Sequence, residues 1–336
     1  MNHLPVIGIT MGDPSGIGPE IIRKALSDSE IYNICRPVVW GDTGALSQEF
    51  MGVEKKAINE ISRPLEAEGD PEKIDLIPVS HLRKESIVPG VPRVEGGQAM
   101  MKYIIKAVEM AQLGEIAAVV TGPINKALMH EAGHFFDGHT QLIAHLTNTE
   151  DYVMMLAGDK LRVTLATIHC ALDKVPSLLD SERICKTISM TSKALQLDFG
   201  LNRPRLAVAA LNPHAGESGL FGTEEGEIIK PAVDRARSEG CLAEGPLPAD
   251  TLFYKAAKGQ YDAVVAMYHD QGLIPLKLRG LGGAVNVTIG LPIIRTSPDF
   301  GTALDIAGKG KADPKGMINA ILLAAQLAQK SKAESN

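Results

Sequence analysis

Short, unbroken apolar runs alternate with longer amphipathic stretches along the whole chain. VIGIT (Val6 to Thr10), PVVWG, IDLIPV and AAVVTG have no polar face to present to water, so they predict strands buried on both sides. Between them, IGPEIIRKAL, the stretch from Glu95 to Leu113 and PINKALMHEAG repeat apolar residues at helical spacing. Pro123 is expected in the first turn of the last of these, where a missing N–H costs nothing. Further on, LRVTLAT, RLAVAAL and DAVVAMY read as strands, and IPLKL, VNVTIG and PIIRTSP as further strand-like runs. KGMINAILLAAQLAQK closes the chain as an amphipathic helix, and SKAESN is expected to fray. Residues 51–96 are more polar and irregular, with SRPLEAEGDPEK as a surface excursion.

Such alternation predicts an α/β fold, a three-layer α/β/α arrangement on a mostly parallel sheet. The sharpest internal boundary falls near GHFFDGHT. Two subdomains with a cleft are expected: residues 1–135 plus 292–336, which hold a candidate cofactor loop, and residues 136–291, which hold candidate metal and substrate residues. The first is discontinuous only if the last helix returns to it.

Three of the strand-like runs end just before a histidine: His169 in TIHC, His214 in NPHAG and His269 in YHDQG. At the carboxyl end of a strand in an α/β sheet, a side chain points to where ligands bind. One such histidine alone reads as packing or surface. Three in the same placement read as corners of a divalent-metal site with positions left for substrate. Asp270 and Glu217 are candidates to orient these imidazoles.

Other polar residues interrupt apolar segments. Lys277, Asn286 and Arg295 together offer an ammonium, an amide and a guanidinium, a set that suits phosphate or carboxylate. Thr140 is expected to cap the helix QLIAHLT, leaving amides for an anion beside His139. Asp250 in LPADTLF is a helix cap, a metal neighbour or a proton acceptor. The opening loop MGDPSGIGPE is a structural turn or a ligand contact. It is neither a dinucleotide fingerprint, since Ile21 takes the third glycine's place, nor a phosphate-binding P-loop. Near the end, DFGTALDIAGKGKADPKG forms a glycine-rich loop around Gly301, Thr302, Ala303 and Asp305.

Composition narrows the class. The 336 residues suffice for two domains, and a net charge of −6 with no dense basic tract argues against nucleic-acid or anionic-membrane partners. No segment is long and apolar enough to span a bilayer, and MNHLPVIGIT lacks the features of a secretory leader. The four cysteines (Cys35, Cys170, Cys185 and Cys241) form no CxxC pair, which suits free thiols in a reducing cytoplasm. Cys170, beside His169, reads as a buried small hydrophobe rather than a ligand or nucleophile.

Taken together, MGDPSGIGPE, TGPINKAL, GHTQ, LNPHAGESGLFGTEE, GPLPADTLF, AMYHDQGLIPLKL and VNVTIGLPIIRTS resemble the 4-hydroxythreonine-4-phosphate dehydrogenase family of vitamin B6 synthesis. GTALDIAGKG is similar to the nucleotide loop of isopropylmalate and isocitrate dehydrogenases, whose fold is not a Rossmann domain. The resemblance implies that His169, His214 and His269 bind a divalent metal (zinc, magnesium or cobalt), and that His139, Thr140, Lys277, Asn286 and Arg295 contact substrate. It implies a homodimer with the metal site shared between subunits. It implies oxidation of 4-phosphooxy-L-threonine with NAD or NADP to a β-keto acid, which decarboxylates to 3-amino-2-oxopropyl phosphate. Lys277 and Asp250 are the candidate proton acceptors. Phe300 stands where many relatives carry histidine, and residues 50–95 match no family string. Competing readings are a sister dehydrogenase for 4-phospho-D-threonate or a dihydrodiol acid, a phosphotransacetylase-like acyltransferase and a three-histidine hydrolase.

Overall fold

Runs of four to eight residues, most of them apolar, form the strands of a computed structural model that describes residues 4–280 and 282–334. The chain divides into two units, Met1–Glu150 with Leu291–Asn336, and Asp151–Gly290. The first holds β1 (Val6–Thr10), β2 (Arg36–Asp42), β3 (Ala57–Glu60), β4 (Lys73–Ser80) and β5 (Ala118–Thr121). The second holds β6 (Val153–Ala157), β7 (Arg162–Leu165), β8 (Arg205–Ala209), β9 (Leu242–Leu247), β10 (Ala263–Ala266) and β11 (Val285–Ile289); β12 (Arg295–Pro298) returns to the first.

In the first unit the strands lie in the order β3–β4–β2–β1–β5–β12, all parallel. β1 is buried at every position, as its unbroken apolar run demands. Gly8 in its middle makes room for a neighbour: a Cβ there would lie 2.9 Å from the Trp40 ring, which is buried in β2. The helix Val94–Gln112 turns Met100, Met101, Ile104 and Val108 onto Met129, Leu142 and Ile143, so the helix His139–Leu146 belongs to this core. The last helix, Lys315–Glu334, buries Met317, Ile321, Ala324 and Ala328 at three- and four-residue spacing, and Thr296 in β12 bonds its Ala320 carbonyl at 2.8 Å.

In the second unit the order is β11–β6–β7–β10–β8–β9. β11, β6 and β7 pair antiparallel, whereas β7, β10, β8 and β9 run parallel. The three histidine-bearing runs are therefore neighbours, and all three end on one edge. Among the described residues, no helix is long and apolar enough to cross a membrane.

Several local expectations need correction. IPLKL is not a strand: it is the second half of a helix, His269–Arg279, that accommodates Pro275 and lies against β7. Pro123 precedes its helix, because Asn125 caps Lys126–Glu131 by accepting the Leu128 amide. Thr140 is not the cap of its helix, which begins at His139 after Gly138. Asp250 lies in the first turn of Ala249–Ala257, one residue past its start, with Pro248 at the cap position. SKAESN continues the last helix to Glu334, and residues 335–336 lie outside the described residues.

The glycine-rich loop after β12 is anchored by a buried carboxylate. Glu20, fully buried in the helix Gly18–Ala25, accepts the Ala312 amide at 2.9 Å and the Gly310 amide at 3.2 Å. Lys24, one turn on, pairs with Glu20 at 2.9 Å and donates to the Gly310 and Ala312 carbonyls. We expect Glu20→Ala to lower the unfolding free energy by roughly 2–4 kcal/mol, since it strands two amides and a partly buried ammonium. Denaturant unfolding measures this, and a loss below about 0.5 kcal/mol, the size of an ordinary surface change, would contradict the anchoring role.

Candidate functional site

The carboxyl ends of β7, β10 and β8 are tied together by side chains. Thr167, just past β7, sends its amide (3.1 Å) and its hydroxyl (2.7 Å) to the Met267 carbonyl just past β10. Gln271 accepts the Met267 amide at 2.7 Å and donates to the Ala210 carbonyl just past β8 at 2.6 Å. Gly272 lets the helix His269–Arg279 lie flat, since a Cβ there would come within 2.7 Å of Val163 and 2.9 Å of Leu165. The string HDQG thus combines a histidine, a staple and a close-packing glycine.

On this edge His169 and His269 come together, with ring centroids 5.7 Å apart. Two imidazoles bound to one tetrahedral cation at Zn–N distances of about 2 Å place their centroids roughly 5 Å apart, so the pair fits a shared ion. Asp270 holds the His269 Nδ1 at 2.7 Å, which leaves Nε2 as the lone-pair atom of the ring. His214 is exposed and stands against Phe221, centroids 6.2 Å apart. Among the described residues, no group of three His, Cys, Asp or Glu lies close enough to hold one ion. Cys170 is exposed rather than buried, because it sits in the bend beyond β7.

The turn that carries His214 is strained. His214, Ala215, Gly216, Glu217 and Ser218 all have positive φ, between 44° and 79°. A left-handed residue other than glycine costs about 1 kcal/mol or more, so four of them within five residues persist only where neighbours enforce them. Buried Glu225 does so: its carboxylate accepts the Leu211 amide (2.8 Å), the Asn212 amide (2.6 Å) and the Asn212 side chain (3.0 Å). Glu217, expected to orient a ligand, is one of the strained residues and is exposed.

The other second-unit candidates lie on separate elements. Lys277 is half-buried on the helix that His269 begins, and exposed Asp250 lies in the first turn of another. Asn286 on β11 donates to the Met154 sulfur at 3.2 Å, a weak acceptor, while its buried Oδ1 has no partner.

The first unit carries an electropositive cluster. Arg295 opens β12, is 2% exposed, and donates to the Thr121 hydroxyl at the end of β5 at 2.6 Å. Burial holds its pKa down, to about 9. His139 begins its helix with Nε2 out of reach of solvent and of any hydrogen-bond partner. Burial, then the charges of Arg295 and Lys126, push this imidazole well below 6.5, against the pull of a hydrogen bond to the Gly122 backbone. A neutral ring that donates one N–H to the Gly122 backbone keeps its other nitrogen as an acceptor, and with the charge of a buried guanidinium acting on it the spot suits an anion that still carries a proton. Thr140, the next residue, is half-buried.

The two glycine loops of this unit pack on each other. Ile17 donates to the Thr302 carbonyl at 3.0 Å, and Gly16 approaches so closely that a Cβ would lie 3.0 Å from the same oxygen. Gly301 faces open space and Ala303 has φ +41°, in the left-handed region. Asp305 is exposed. Sequence reasoning missed Gln271, Glu225 and Thr121, whose partners are distant in sequence.

The family described as pyridoxal phosphate biosynthetic protein PdxA matches residues 33–324. A 4-hydroxythreonine-4-phosphate dehydrogenase of Desulforapulum autotrophicum is 50% identical over 325 residues, 96% of each chain. A D-threonate 4-phosphate dehydrogenase of Cupriavidus necator is 46% identical, covering 97% of this chain and 98% of its own. The crystal structure of a 4-hydroxythreonine-4-phosphate dehydrogenase from Klebsiella pneumoniae superposes with a TM-score of 0.89 at 44% identity, covering 97% of this chain and all of the other.

The His139 environment makes a pH prediction. The unfolded chain binds a proton near pH 6.5 that the folded ring resists, so acid favours unfolding. This contribution to stability is full above pH 6.5 and falls as the pH drops below it, at up to about 1.4 kcal/mol per pH unit. His139→Gln should flatten the stability profile below pH 6.5 and leave it unchanged above. Parallel profiles for the two proteins across that range would show that His139 is not held neutral.

Proposed function

The chain belongs to the pyridoxal phosphate biosynthetic protein PdxA family, and from that premise we propose that it oxidises 4-phosphooxy-L-threonine. It is a dehydrogenase, as are its close relatives by name. The product is a β-keto acid, which loses carbon dioxide to give 3-amino-2-oxopropyl phosphate. The observation that carries the reading is the pairing of His169 with His269 at the carboxyl ends of adjacent parallel strands.

We assign the divalent cation (zinc, magnesium or cobalt) to His169, His214 and His269. When bound, the cation supplies a Lewis acid for the substrate hydroxyl, lowering its pKa. The paired rings and the Asp270 contact support two of the three ligands. A homodimer sharing the site, as the resemblance implies, is consistent with the third imidazole standing apart from this pair.

The chain's own residues then bind and orient. His139, Thr140 and Arg295 receive the phosphate: Arg295 supplies fixed charge, and His139 has an unused nitrogen. Asn286 offers its unpartnered Oδ1 to a substrate hydroxyl or ammonium. Lys277 and Asp250 are the residues we put forward to take the hydroxyl proton. A nicotinamide cofactor, NAD or NADP, supplies the hydride acceptor. Gly301, Thr302 and Ala303 would hold its adenosine end through backbone groups. Asp305, an acid in that loop, favours NAD by opposing the extra phosphate of NADP. The free cysteines suit a cytoplasmic enzyme.

A second reading, 4-phospho-D-threonate as substrate, is favoured by one observation: relatives named for that activity are up to 46% identical over nearly the whole chain. The same phosphate and metal residues serve either isomer. Purified protein with added Mg²⁺, Zn²⁺ or Co²⁺ should reduce NAD in the presence of 4-phosphooxy-L-threonine, with kcat/KM at least tenfold above that for 4-phospho-D-threonate. The reverse ranking would install the second reading. No reduction of either nicotinamide with any phosphorylated hydroxy acid would reject both.

A further inference from the structure

The cations around His139 stand where burial and a helix start oppose them. Lys126 is the first residue of the helix Lys126–Glu131, where the helix dipole disfavours a cation. Its Cε lies 3.6 Å from the position a Cβ would take on Gly138, at the start of a second helix, His139–Leu146. That second start has no side-chain cap, so its first amides add positive potential to the same spot. The nearby carboxylate, Asp137, is exposed, and it accepts the Gln141 side chain at 3.3 Å. Lys126 is exposed and makes no hydrogen bond or ion pair among the described residues. A lone surface lysine is unremarkable, but this one lies against Gly138, the residue before His139, whose Nε2 is buried and without a partner.

We propose that Lys126 is a binding residue for the substrate phosphate, closing from the solvent side the anion site that His139 and Arg295 form from within. This rests on the reading of the substrate as a phosphate ester. The charge of Lys126 already acts on His139, where it opposes protonation of the ring. A phosphate monoanion placed there would pair with Lys126 and Arg295 and donate its P–OH proton to the bare Nε2. An ammonium on a flexible stem suits the outer position, since it can follow the ligand in, whereas the buried guanidinium is fixed.

The test uses the full-length protein, inorganic phosphate as probe, and the variants Lys126→Gln and Lys126→Arg. NMR signals of the His139 ring, assigned by their loss in His139→Gln, report binding at the site itself. Phosphate should shift them in the wild type. Its affinity should fall roughly tenfold in Lys126→Gln and stay within about threefold in Lys126→Arg, the scale of one charge-assisted contact. With a phosphorylated hydroxy acid, Lys126→Gln should raise KM by a similar roughly tenfold factor at unchanged kcat. Equal phosphate affinity in wild type and Lys126→Gln would overturn the proposal, as would a His139 signal that phosphate does not move. Lys126-dependent phosphate binding in a protein that oxidises no hydroxy acid would uphold the anion site and reject the dehydrogenase substrate reading alone.

Discussion

The histidine edge of the second unit depends on one side chain, the amide of Gln271. Its two hydrogen bonds, at 2.7 and 2.6 Å, fix the end of β10 to the end of β8, while Thr167 fixes the end of β7 to the same Met267 peptide. Strand ends in an open sheet are otherwise free to splay, because their last peptides have lost the ladder. With the ends locked, the loops beyond them start from a common platform, and His169 and His269 meet. Glu225 performs the same service for the turn after β8 by satisfying three donors with one carboxylate. Several kcal/mol of left-handed backbone there are held by buried hydrogen bonds worth about 1–3 kcal/mol each, so the balance is close and the turn's shape is conditional on Glu225.

The first unit follows a different logic. Its chemistry is electrostatic and comes from burying cations rather than from meeting ligands. Arg295 is carried into the interior by β12, a strand whose remaining residues are buried too. Its guanidinium is steadied by Thr121 on the neighbouring β5. Burial lowers the pKa of Arg295 and keeps His139 neutral, so a fixed charge and an unfilled hydrogen-bonding position occur together here. Glu20 and Lys24 hold the far end of the glycine-rich loop, so both loops of this unit rest on one short helix.

Much of this was legible in the sequence, for physical reasons. Buried parallel strands need unbroken apolar runs, so β1, β2, β5, β7, β8 and β10 declare themselves. The histidines at three of their ends were legible for the same reason, since each follows within three residues of its run. IPLKL misled because Leu, Ile and Pro in a short run fit either a strand or a packed helix. The deciding contact, Gly272 on Val163 and Leu165, joins residues about a hundred positions apart in the chain. Thr140 and Asp250 were misplaced at helix starts by one or two residues, where the capping residue is set by backbone direction rather than by side-chain type alone. Gln271, Glu225 and Thr121 carried no local signal. Each is an ordinary polar residue whose role appears only when its partner is brought beside it.

The central claim is that His169 and His269 share a divalent cation. Cobalt(II) tests it directly, because its visible absorption reports nitrogen ligation without requiring turnover. Titration of the full-length protein should produce a d–d band that saturates with cation. His169→Ala and His269→Ala should each weaken it at least tenfold, and Asp270→Asn less so, in line with the roughly 10–100-fold effects of residues that orient a ligand. A cobalt spectrum unchanged by either histidine substitution would contradict the account.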